Sequence, residues 1–101
     1  MFDVRMKIVS QQGSCVFGHK LGDEWIIGTN TPVGGVNTPL GICNGAYHAL
    51  YPFIRVLQFG GQYEWPAGSG TCRLCCPDPY NQIIFELTRV EGSKREVWKN
   101  T

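Results

Sequence analysis

Five cysteines and two histidines are the residues of this 101-residue chain whose types and spacing suit chemistry. Cys15 and His19 stand Cys-x3-His inside a stretch that holds Gly13, Gly18 and Gly22. Cys43 stands at the start of a helical pattern, and Cys72, Cys75 and Cys76 run into Pro77-Asp78-Pro79. Thiolates are soft anionic ligands for zinc and for iron–sulfur clusters. Cys72-x2-Cys75 has the knuckle spacing of such sites, and Cys76-Pro77 matches the last step of the bacterial ferredoxin run, whose other members are missing here. One CxxC without a second is a weak signal. The plain alternative is that free cysteines act as small buried apolar residues.

Cys43 has a second reading. A thiol at a helix N-terminus feels the positive end of the dipole, which favours the thiolate and suits a nucleophile or a redox group. His48 is not an obvious base for it, because five residues on a helix turn the side chain about 140° away, unless Cys43 lies outside the helix. His48 lies between Tyr47 and Tyr51, and a packed, hydrogen-bonded role competes with a ligand role. His19 in its glycine-rich loop is either a fourth ligand beside Cys15 or a surface turn residue. Tyr47, Tyr51 and Trp65 are large enough to line an aromatic pocket. Asp23-Glu24 most simply open a strand, and Asp78 between two prolines most simply makes an Asx turn. The sequence has no GxGxxG, P-loop, HExxH or GxSxG pattern.

These residues must be positioned by few elements. The pattern predicts one helix over 44–59. Ala46, Leu50, Phe53, Ile54 and Leu57 form one apolar stripe, Asn44 is a candidate cap, and Gly60-Gly61 form a stop. Pro52 lies inside it and leaves the His48 carbonyl without its usual donor, which predicts a kink. Phe2, Val4, Met6 and Ile8 alternate with Asp3, Arg5 and Lys7 as one strand, and Ile83, Phe85 and Leu87 mark another. Residues 25–28 and 72–76 are shorter strands, and the Pro-Asp-Pro turn makes 72–90 a hairpin. Residues 29–39 read as a loop that covers an edge. The order is that of an α+β domain, with a mainly antiparallel sheet and one helix on one face. The two long alternating strands are expected to be neighbours.

Composition bounds the rest. The chain is expected to be one domain over residues 1–92 with a polar tail at 93–101. Its hydrophobic fraction of 43% suits a folded protein. A net charge of +1 lacks the clustered basic surface that nucleic acid needs. No run reaches the roughly 18 apolar residues of a membrane span, and the N-terminus has no signal-peptide core. A cytoplasmic location follows as the expectation, with the cysteines as thiols or metal ligands rather than disulfides. A short sheet has exposed edges, so a homo-oligomer or a protein partner is compatible.

Three segments belong together: Gly13-x-Cys15-x3-His19-x2-Gly22-Asp23-Glu24; Thr38-Pro39-x-Gly41-x-Cys43-x2-Ala46-x-His48-x-Leu50-Tyr51-Pro52; and Cys76-Pro77-Asp78-Pro79. Over residues 4–90 this resembles a family of small prokaryotic proteins of about this length and uncharacterised activity. The resemblance implies shared cysteines at Cys15, Cys43 and Cys76, and leaves Cys72 and Cys75 outside the pattern. The leading expectation is a zinc or iron–sulfur centre on Cys15, Cys43 and Cys76, with His19, His48 or Cys72 as the fourth ligand. The alternatives are a binding module with unmetallated thiols and an aromatic pocket at Tyr47, Tyr51 and Trp65, and a thiol enzyme using Cys43.

Overall fold

In the computed structural model, residues 1–28, 34–36, 38, 41–63 and 71–94 are described. Strands β1 (Val4–Gln11), β2 (Glu24–Ile27) and β3 (Gly34–Gly35) precede helix α1 (Asn44–Gln58), and β4 (Thr71–Cys75) and β5 (Ile83–Arg89) follow it. The five strands form one sheet in the order β3-β2-β1-β5-β4, and every neighbouring pair is antiparallel. The fold is α+β, and the two long alternating strands are central neighbours. Within residues 29–39, read as a loop, Gly34 and Gly35 form a two-residue strand on β2. Trp65 and residues 95–101 of the expected tail lie outside the described residues.

Alternation decides which face is covered. Val4, Met6 and Ile8 of β1, Trp25 and Ile27 of β2, and Ile83, Phe85 and Leu87 of β5 all point to one side and are buried. Helix α1 lies over β1 and β5 and meets them with Ala46, Leu50, Ile54 and Leu57. Fully burying one such aliphatic side chain is worth about 1.5–3 kcal/mol. The other face of the sheet carries charged side chains beside the half-buried Ile26 and Ile84, with ion pairs Arg5–Glu24 at 2.6 Å and Arg73–Glu86 at 2.9 Å. The helical stripe is rotated from its sequence reading. Gln58 is buried, with its Nε2 donating to the Ile27 carbonyl at 3.5 Å. Phe53, on the flank away from Gln58, stays partly exposed and packs on Tyr63 at 6.0 Å between ring centroids.

Both ends of α1 are tied down. The cap is Cys43, not Asn44: Cys43 has an extended backbone (φ −65°, ψ 144°) and its Sγ accepts from the Ala46 N–H. The helix runs on through Pro52. At its C-terminus the Gly60 N–H donates to Leu57 and the Gly61 N–H to Val56, the pair of bonds of a Schellman ending. The Arg89 guanidinium donates to the carbonyls of Leu57 (3.3 Å) and Gly61 (2.6 Å), a cation at the negative end of the helix dipole.

A side chain at Gly61 has no room, because a Cβ there would stand 2.5 Å from Val56 Cγ1 and 2.9 Å from the Val56 carbonyl. Gly61→Ala is therefore expected to cost about 1–3 kcal/mol, as overpacking does. Urea unfolding checks this as a lower midpoint at unchanged slope; an unmoved midpoint would mean that the helix ending yields freely.

Candidate functional site

Strand directions bring three loops to one end of the sheet. Since β4 and β1 are both antiparallel to β5, they run the same way, and the chain leaving each emerges at the same end. The β1–β2 loop carries Cys15 and His19, and the β4–β5 turn carries Cys76 and Asp78. A register shift between Ile8 and Ser10 marks a bulge near the end of β1, a device that bends a strand and re-aims the chain beyond it. The N-terminus of α1, with Cys43, arrives at the same place. Cys15, Cys43, Cys76 and His19 all line one cavity of about 340 Å³.

The two loops are stapled by Asn81. Its Oδ1 accepts from the Ser14 N–H at 3.3 Å. Gly13 makes that approach possible: it sits at φ 72°, and a Cβ there would lie on Asn81 Oδ1. Asp78 forms the expected Asx turn, accepting from the N–H groups of Tyr80 (2.9 Å) and Asn81 (3.1 Å), and these bonds hold its carboxyl below the usual range. The Cys76 N–H donates to the Ile83 carbonyl, and its thiol donates to the Asn81 carbonyl at 3.8 Å.

His19 is the residue that sequence reasoning placed least well. It is only 2% exposed, in ring contact with Phe17 (4.9 Å) and Trp25 (5.0 Å, edge-on). Its Nε2 accepts the Cys43 N–H at 3.0 Å. A neutral imidazole that accepts at Nε2 carries its proton on Nδ1, so Nδ1 presents a donor. That atom is buried and has no hydrogen-bond partner among the described residues. Burial lowers the His19 pKa from its ordinary value, with the nearby Asp23 charge opposing.

The remaining candidates stand elsewhere. His48 is exposed on the outer side of α1, in a shallow groove with Tyr47, Tyr51 and Pro52. Tyr47 and Tyr51 pair at 5.5 Å, and burial followed by the neighbouring Tyr51 pushes the Tyr47 hydroxyl pKa up. Cys72 is buried in the core, where burial drives its thiol up to about 11. A thiol so placed is a packing residue rather than an accessible ligand. Cys75 is exposed on β4. Of the three expected fourth ligands, only His19 reaches the cavity.

As the side chains stand, no group of three or more His, Cys, Asp or Glu among the described residues is arranged to hold a metal ion. No helix among the described residues is long and apolar enough to cross a membrane. Comparison with protein-family models, curated proteins and solved structures finds no match.

The lowered His19 pKa makes stability pH-dependent. Below 6.5 the unfolded chain takes up this proton before the folded one does. The His19 contribution is therefore complete above 6.5 and is lost as the pH falls from 6.5 through the lowered folded value. Urea unfolding at a series of pH values is expected to fall across this window in the parent chain and to be flatter in His19→Gln. Equal pH slopes in the two would assign the acid sensitivity to other groups.

Proposed function

We propose that this chain is a small binding protein that holds an iron–sulfur cluster through the thiolates of Cys15, Cys43 and Cys76. The observation that carries the reading is the meeting of these three thiols, from three separate segments, on one cavity at a helix N-terminus. The helix end favours negative charge there, and thiolates are the ligands that clusters take. A lone zinc ion needs its ligands drawn to about 2.0–2.3 Å from one point, and no such group of three is arranged among the described residues. His19 lines the same cavity with Nε2 already engaged by the Cys43 N–H. A bound cluster would supply electron transfer or an open iron site.

A second reading, a binding module with unmetallated thiols, is favoured by two observations. No metal-holding group is arranged among the described residues, and the cavity is large enough for a small organic ligand by itself.

Purification without oxygen separates the two. The cluster reading expects a brown protein with iron and acid-labile sulfide, lost in Cys76→Ser and kept in Cys75→Ser. Colourless protein with stoichiometric zinc would replace the cluster by zinc. Colourless protein without metal would leave the module reading.

A further inference from the structure

Hydrogen-bond alternation leaves one edge of the sheet open. β4 is the last strand in the order β3-β2-β1-β5-β4. The Cys76 N–H donates to the Ile83 carbonyl, and Cys75 stands opposite Ile84. Opposed residues of an antiparallel pair alternate between hydrogen-bonded and non-hydrogen-bonded. Leu74 and Cys72 therefore bond β5 through their main chains, while Arg73 and Cys75 turn their N–H and C=O groups to the outer edge. The Arg73 and Glu86 side chains meet at 2.9 Å, as the closer side chains of a non-hydrogen-bonded pair do. No hydrogen bond among the described residues engages the outward main chain of Arg73 or Cys75.

Natural edges are blunted by proline, lysine, a bulge or extreme shortness. The opposite edge, β3, is two glycines long. β4 has five residues, Thr-Cys-Arg-Leu-Cys, with no proline, no lysine and no register shift against β5. Such an edge accepts a further strand by main-chain pairing. Its core side is also unfinished at Leu74, which packs on the core but is only partly buried.

The chemistry of β4 selects its own sequence as that strand. A two-fold contact sets the same strand against itself, and the axis can pass through Arg73, Leu74 or Cys75. An axis at Arg73 sets two guanidinium groups directly opposite each other, which destabilises. An axis at Cys75 sets Arg73 against Pro77, which has no N–H to give. An axis at Leu74 sets Arg73 against Cys75 of the second copy, and both residues then exchange N–H and C=O bonds. Each Arg73 keeps Glu86 as its counter-ion and faces a neutral side chain. The two Leu74 side chains meet on the core side and finish each other's burial. We infer that this chain self-associates through β4, antiparallel and with Leu74 opposite Leu74, so that two sheets become one. The contact is smaller than the roughly 1,000 Å² of a stable interface, and the dimer is reversible.

The test uses the full chain, reduced and metal-free. Sedimentation equilibrium is expected to pass from one chain towards two between ~10 µM and ~1 mM, the range that suits a small interface. Over the same range amide exchange at Arg73 and Cys75 is expected to slow. Cys75→Pro removes an outward N–H and no bond to β5, a change that edge strands tolerate, and is expected to stay a single chain at ~1 mM. Cys75→Glu sets a carboxylate opposite Arg73 of the second copy and is expected to tighten the dimer about tenfold, the worth of two cross-strand ion pairs; it serves if Cys75→Pro does not fold. A single parent chain at ~1 mM, a dimer that neither substitution changes, or a dimer whose Arg73 and Cys75 amides exchange as fast as in the monomer would overturn the inference. None of these results bears on the cluster reading, because metal uptake is measured separately.

Discussion

The hydrogen bond from the Cys43 N–H to His19 Nε2, 3.0 Å long, is the contact on which the site depends. It joins the N-terminus of α1 to the β1–β2 loop. It also fixes the imidazole, since an Nε2 that accepts leaves the proton on Nδ1. The ring is held on its faces and edges by Phe17 and Trp25, and Trp25 packs in turn on Phe85 at 6.3 Å. The position of one thiol, one buried donor and part of the aromatic core is thus set through a single ring. Loss of that contact would free the helix start and open the cavity from one side.

The rest of the fold keeps this arrangement in place from a distance. At the far end of α1, Arg89 and the two glycines hold the last carbonyls, so the helix is fixed along its axis at both termini. Antiparallel pairing of β5 with both β1 and β4 delivers Cys15 and Cys76 to the same end. Asn81 bonds the two loops to each other. The other face of the sheet, with its Arg–Glu pairs, takes no part. The structure therefore divides its labour: one face and the helix give stability, and one end gathers Cys15, Cys43, Cys76 and His19.

Much of this was legible in the chain, because the signals were local. Two-residue alternation in β1 and β5 and the 3.6-residue stripe of α1 identify the elements, and Gly60-Gly61 mark the helix end. The identity of the cap was not legible. Cys43 and Asn44 both suit that position, and only the extended backbone at Cys43 decides it. The burial of Gln58 in place of Phe53 depends on the Ile27 carbonyl, which no helical period encodes. His19 read more readily as a surface turn residue, since its burial comes from Trp25 and the helix start, each in a separate element. Cys72-x2-Cys75 misleads for the opposite reason. Spacing is preserved, but a strand sends Cys72 into the core and leaves Cys75 in solvent.

The central claim is that Cys15, Cys43 and Cys76 serve one occupant. Differential alkylation under anaerobic conditions, read by mass spectrometry before and after chelation, addresses it residue by residue. The account predicts that these three thiols are protected together in protein as isolated and become labelled together after chelation. Cys75 is expected to label in both states and Cys72, buried, to resist in both. Labelling of any one of the three at the same rate in the two states, or protection gained by Cys75, would contradict it.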